Sequence, residues 1–178
     1  TRTALTPRER PERIPLSFGQ RRLWFINRMD GGGTAYHMQS VLRLRGELDR
    51  TALAEALADV VARHESLRTV FPEADGEPHQ LVLEPGDARP VPAVTDTDES
   101  GLAAALRAAA AQPFELTREL PLRAHLFALS PTEHVLMVVQ HHIAADGWSL
   151  TVLARDLGRA YRARSRGEAP DWRPLPVQ

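Results

Sequence analysis

The residues with the clearest capacity for chemistry lie together in Gln140-His141-His142-Ile143-Ala144-Ala145-Asp146-Gly147-Trp148-Ser149. A histidine exchanges a proton near neutral pH, because its unperturbed pKa is about 6.5. A carboxylate four residues after the second histidine can orient the imidazole or close the turn through an arginine, and Gly147 permits a backbone angle that a β-carbon resists. Two adjacent histidines alone are as well explained as polar loop residues. The full spacing, His-His-x-x-x-Asp-Gly-Trp-Ser after an apolar run, marks a site. Other chemistries fit less well. A metal held by His141 or His142 with Asp146 lacks a third ligand, so no metal is expected. Ser149 lacks the second glycine of a nucleophile elbow and reads as a helix cap or first-turn residue.

The elements around the stretch explain how it is positioned. Val135-Leu136-Met137-Val138-Val139 is a short continuous apolar run, as in a strand buried on both faces. After the stretch the period becomes helical, with Leu150, Leu153, Leu157, Ala160 and Tyr161 on one face and Gly167 as a stop. The histidines therefore sit where a central strand ends and turns toward a helix, a place where a rigid scaffold meets a loop. Upstream, Ser17 and Gln20 form a capping box for a first helix that turns Leu23, Trp24 and Ile26 partly inward, with Trp24 in the core. Gly31-Gly32-Gly33 makes a turn, and Met38 to Leu44 alternates as a strand. Asp49 caps a second helix with the apolar face Leu53, Ala56, Leu57, Val60 and Val61. That helix runs into Arg63-His64-Glu65-Ser66-Leu67-Arg68, which on spacing alone is a charged, solvated helix end.

Two strands, Thr69 to Phe71 and Gln80 to Leu83, flank the turn Asp75-Gly76. Residues 88–94 are proline-rich and irregular. A helix over about Gly101 to Ala111 ends before Pro113, and Leu122 to Leu129 forms a strand joined through Ser130-Pro131-Thr132 to the central one. His125 and His134, near that hairpin, are expected to face solvent. Arg162, Arg164 and Arg166 suit a helix C-terminus, and a solvated face explains them better than a surface for an acidic carrier protein. Strands, hairpins and helices in this order predict an α+β fold with helices packed on one mixed, mainly antiparallel sheet.

Composition narrows the function. The chain has 178 residues, 43% of them hydrophobic, enough for one core. A net charge of −1 gives no electrostatic case for nucleic acid or an anionic membrane. There is no cysteine, so disulfides and thiol nucleophiles are excluded. No apolar segment approaches membrane-spanning length and the start lacks a signal-peptide core, which leads to the expectation of a cytoplasmic protein. Residues 1–13 read as a linker or loose N-terminus.

The histidine stretch, with two further segments, resembles the condensation domains of nonribosomal peptide synthetases, which belong to the chloramphenicol-acetyltransferase-like superfamily. Ser17-Phe18-Gly19-Gln20-Arg21-Arg22-Leu23-Trp24-Phe25-Ile26 is similar to the first core motif, with Gly19 where alanine is usual. Arg63-His64-Glu65-Ser66-Leu67-Arg68-Thr69-Val70-Phe71 resembles the second core motif, His141 to Gly147 the third, and Gln112-Pro113-Phe114-Glu115-Leu116 also fits. The resemblance covers residues 14–178 and only the N-terminal lobe of such a domain, so the C-terminal lobe is expected to be missing and this stretch alone inactive or nearly so. It implies peptide-bond formation between a donor aminoacyl or peptidyl thioester and the amine of an acceptor aminoacyl thioester. Both are carried on phosphopantetheine arms of carrier proteins beside neighbouring synthetase domains, with no cofactor bound by the lobe itself. It implies His142 as the catalytic residue, aided by His141, Asp146 and Gly147, whose backbone N–H could meet an oxyanion. It further implies a structural salt bridge from Arg68 to Asp146, with Arg63 as the second choice. Trp148 and Ser149 would line the substrate channel, and with the Tyr36 region they resemble domains whose donor ends in a D-residue, although His37 stands where asparagine is common. An epimerization domain shares the histidine motif, but the complete second motif and Trp148-Ser149 favour condensation. Heterocyclization domains carry aspartates in place of the histidines. A non-catalytic module that binds a carrier protein or tailoring enzyme is the alternative from a different class.

Overall fold

The structure, a computed structural model, describes residues 9–178. Strand β1 (Ile14–Pro15) leads into helix α1 (Phe18–Met29), and a short 3-10 turn precedes β2 (His37–Arg45). Helix α2 (Arg50–Arg63), a second 3-10 turn (Glu65–Arg68) and the short strands β3 (Thr69–Val70), β4 (Glu73–Ala74) and β5 (Glu77–Val82) follow. The chain ends with β6 (Ala93–Asp96), α3 (Glu99–Ala110), β7 (Leu122–Ser130), β8 (Glu133–His141) and α4 (Gly147–Arg164). The expected linker falls partly outside the described residues. Within it, Arg10 pairs with Glu65 and Arg13 with Asp75.

The main sheet has the order β2-β8-β7-β6, antiparallel except for the parallel pair β6 and β7. A smaller sheet places β5 between β1 and β3, with β4 folded onto it through the Asp75-Gly76 hairpin. Both turn residues adopt positive φ, 56° and 79°, the geometry in which Asp-Gly is favoured.

Strand β8 shows why an uninterrupted apolar run forms here. Its residues alternate between two cores: Leu136 and Val138 join Leu57, Val61, Leu153 and Leu157 of α2 and α4. Val135, Met137 and Val139 join Trp24 of α1, Leu102 of α3 and Phe114. Each face is covered, so both are mainly apolar. The sheet is thus clad on both sides. The same cladding corrects the expectation for two histidines: His125 and His134 are buried, because β7 and β8 are interior strands. Burial, and then the charge of Arg123, lower the pKa of His125.

Side chains cap every helix start as the local sequence dictates. Ser17 and Gln20 make the full capping box of α1, Asp49 accepts from the Ala52 N–H, and Asp98 caps α3. Ala93 and Val94, expected within the irregular segment 88–94, begin a strand that runs to Asp96; its partner β7 lies about thirty residues away and no local signal announces it.

Candidate active site

Strand β8 ends at His141 and helix α4 begins at Gly147, so the histidine motif is one tight connection. Its two histidines have opposite environments. His141 is 1% exposed. Its Nδ1 accepts the N–H of Ile143 at 3.1 Å, which leaves the ring hydrogen on Nε2. It packs edge-on against Phe114 and against His37, its cross-strand neighbour on β2. Burial, reinforced by His37 and His142, pushes its pKa down to about 4, so it is neutral at physiological pH.

His142 is exposed. Its backbone N–H donates to the Tyr36 carbonyl at 2.9 Å, and its Nδ1 lies 2.5 Å from the Ala145 carbonyl. A carbonyl oxygen only accepts, so Nδ1 carries the hydrogen and the Nε2 lone pair of the neutral ring is left to act as a base. His142 borders a depression with Ser17, Gly19 and Leu23 of the first motif, which brings two distant sequence segments together. A β-carbon at Gly19 would meet nothing closer than Ser17 Oγ at 3.9 Å, so the usual alanine fits there as well.

Asp146 caps α4. Its Oδ1 accepts from the Ser149 N–H at 2.9 Å and the Ser149 hydroxyl at 2.7 Å, and Ser149 Oγ accepts from the Asp146 N–H. These hydrogen bonds hold the carboxyl below the usual aspartate range. The reading of Ser149 as a first-turn residue agrees with this box. The arginine partners differ from the expectation. Arg68 does not reach Asp146: the 3-10 turn aims it at the Leu83 carbonyl and at Glu65, 3.3 Å away. Arg63, at the end of α2, meets Asp156 further along α4, where Asp156 Oδ2 accepts from Arg63 Nε at 3.1 Å and His64 Nε2 at 2.9 Å. Gly147 also departs from the sequence reading. It has no positive φ, and an added β-carbon would find no atom within 4 Å. Its small size leaves the start of α4 open to approach. Trp148, 81% exposed, stands beside it. Of the basic trio, Arg164 forms a two-pronged pair with Asp59 of α2, and Arg166 meets Glu168.

The structure therefore gathers His141, His142, Asp146, Gly147, Trp148 and Ser149 in one turn and leaves Arg63 and Arg68 outside it. Sequence reasoning missed the role of Tyr36, which acts through a backbone carbonyl that no side-chain pattern reveals. Among the described residues no group of three histidine, aspartate or glutamate side chains converges as a metal site, and no helix is long and apolar enough to cross a membrane.

Known proteins resemble this chain in sequence and in fold. The family model of the condensation domain matches residues 11–177. A dimodular nonribosomal peptide synthase of Bacillus subtilis is 50% identical over 175 residues, covering 98% of this chain and 7% of that protein. The X-domain of teicoplanin biosynthesis, solved in complex with OxyB, superposes with a TM-score of 0.92 at 46% identity, over 100% of this chain and 38% of that one. The first condensation domain of the calcium-dependent antibiotic synthetase, solved with a substrate analogue, gives a TM-score of 0.79 at 26% identity over 93% of this chain and 42% of that one. The chain thus spans about two fifths of the solved chains it matches and a small part of the curated relative. A family model that matches nearly the whole chain, a shared fold and half-identical sequence lead to one conclusion: this chain belongs to the condensation-domain family of nonribosomal peptide synthetases.

Proposed function

We propose that the chain contributes the histidine-bearing side of a condensation site, where the amine of an acceptor aminoacyl thioester attacks the carbonyl of a donor aminoacyl or peptidyl thioester. The observation that carries this reading is the state of His142: exposed, held at Nδ1 by the Ala145 carbonyl, with Nε2 engaged by none of the described residues. A free α-amine has a pKa of about 8, so part of it is already neutral at pH 7. As the new C–N bond forms, the nitrogen must lose a proton. His142 Nε2 accepts it and returns it to the departing thiolate as the C–S bond breaks. The Gly147 N–H, in the first turn of α4 where intrahelical acceptors are lacking, is offered to the oxyanion. His141, buried and neutral, shapes the turn and takes no part in the proton transfer.

The substrates in this reading ride on phosphopantetheine arms of donor and acceptor carrier proteins, and the rest of the synthetase closes the open side of the depression. This stretch alone is then a poor catalyst. The test is dipeptidyl-thioester formation, followed by mass spectrometry, in the synthetase with loaded carriers. His142→Ala is expected to lower product formation by about 10²- to 10⁴-fold. Undiminished product from that variant contradicts the reading.

A second reading, recruitment of a partner enzyme without catalysis, is favoured by the close match to an X-domain captured with OxyB. It predicts that His142→Ala changes neither partner binding nor product output. Epimerization at the same histidine would instead appear as exchange of the substrate α-hydrogen with solvent deuterium.

A further inference from the structure

Gln140 precedes the histidine pair on β8, on the face shared with Leu136 and Val138 that looks toward α2 and α4. It is 1% exposed, and among the described residues its Oε1 has no hydrogen-bond partner. An unpaired amide on an otherwise apolar face is costly, and a methionine would fill the position without that cost. The proton transfer at His142 does not use it. Gln140 lines a cavity of about 120 Å³ with His64, Ser66, Leu67, Trp148 and Val152. His64 Nε2 donates to the Asp156 carboxylate. Ala144, Ala145 and Ser149 border both this cavity and the depression that holds His142. The two are thus neighbours along one turn.

We propose that this cavity is a specificity subsite for a short, uncharged, hydrogen-bonding side chain, a carboxamide or hydroxyl, on one of the two amino acids joined at His142. The inference rests on the condensation reading. A carboxamide matches the terminal amide of Gln140 donor to acceptor and acceptor to donor, while Leu67 and Val152 accept the methylene stem. Among the described residues no arginine or carboxylate lines the cavity, and His64 is already engaged by Asp156, so an ionised substrate group would lie there uncompensated.

The test is a competition in the synthetase that contains this chain. Asparaginyl and leucyl thioesters, near in shape, are supplied together, first on the donor carrier and then on the acceptor carrier, to the natural sequence and to Gln140→Met. The expected result is a preference for asparaginyl of at least about tenfold in one arm, lost in Gln140→Met, which melts no lower than the parent. The arm that responds identifies the substrate whose side chain enters. Equal ratios in parent and variant in both arms overturn the subsite and leave a hydrated cavity only. If no product forms with either substrate, binding decides. Amide-linked asparaginyl-pantetheine, added to the same protein, must shift the Gln140 side-chain NH₂ resonances while its leucyl counterpart does not. That outcome upholds the subsite and rejects condensation, whereas no shift from either compound overturns the subsite as well.

Discussion

Two aspartates ten residues apart at α4 have opposite tasks. Asp146 is exposed, belongs to the histidine motif, and spends its hydrogen bonds on Ser149 at the helix start. Asp156 is buried and takes Arg63 and His64 on one oxygen and Arg155 on the other. Burial alone would raise the Asp156 carboxyl, but hydrogen bonds from His64 and Arg155, with the Arg155 and His64 charges, draw it below the usual range. Around it gathers a strap: Arg63 also bonds the Arg173 carbonyl and lies over Trp172, and Gln178 bonds the Arg63 carbonyl. The ion pair that holds the second core motif in place is thus made about halfway along α4, away from the histidine turn. Proximity in a motif does not decide which charge is structural; burial and partner count do.

Removal of each partner should expose this contrast. The largest effect is expected from Asp156→Ala, which takes the shared carboxylate from the largely buried Arg63 and His64. A loss of about 3–5 kcal/mol is predicted in urea unfolding, and a loss below about 1 kcal/mol would place the node among ordinary surface pairs. Acid comes next. The folded pKa of His141, about 4, lies below the unfolded value near 6.5, so between those values the unfolded chain binds a proton that the folded chain refuses. Stability is therefore full above about pH 6.5 and falls as pH drops toward 4, by about 2 kcal/mol from pH 7 to 5. His37 and His125, also lowered by burial, act in the same direction. A flat unfolding profile over that range would contradict the burial of these rings as the controlling term.

Asp146→Ala should cost less than either, because the helix start loses a cap and Arg68 loses nothing. Its melting temperature should fall by only a few degrees, and Arg68→Ala combined with it should be additive; strong coupling between the two would restore the direct ion pair. Smallest of all is Gly147→Ala. With no positive φ and free space around the site, the alanine should leave the melting temperature unchanged or raise it slightly. Any loss of turnover in that variant then reports a substrate that needs the space, not a disturbed fold.

The sequence carried the local features and lost the distant ones. The helix of Asp49, the hairpin at Asp75-Gly76, the apolar run of β8 and the switch to helical period after Asp146 are written in neighbouring residues, and the structure has them all. The family resemblance rested on motifs that do converge at the turn, as the depression shared by Leu23 and His142 shows. Arginine partners were not legible, since Arg63 and Asp156 are separated by more than ninety residues and several acids compete for each guanidinium. Nor was β6, whose hydrogen bonds come from β7, or the burial of His134, which depends on helices covering both faces of the sheet. Gly147 misled for a different reason: glycine is as often a matter of room as of backbone angle.

In the proposed reaction the two histidines of the motif divide labour, with His141 as a neutral wedge and His142 as the base. Long-range ¹H–¹⁵N NMR of the imidazole rings across pH tests it directly. Neutral His142 is expected to carry its hydrogen on Nδ1, while His141 carries it on Nε2 and stays neutral to about pH 5. An Nε2–H tautomer at His142, or a His141 that titrates near 6.5, would contradict it.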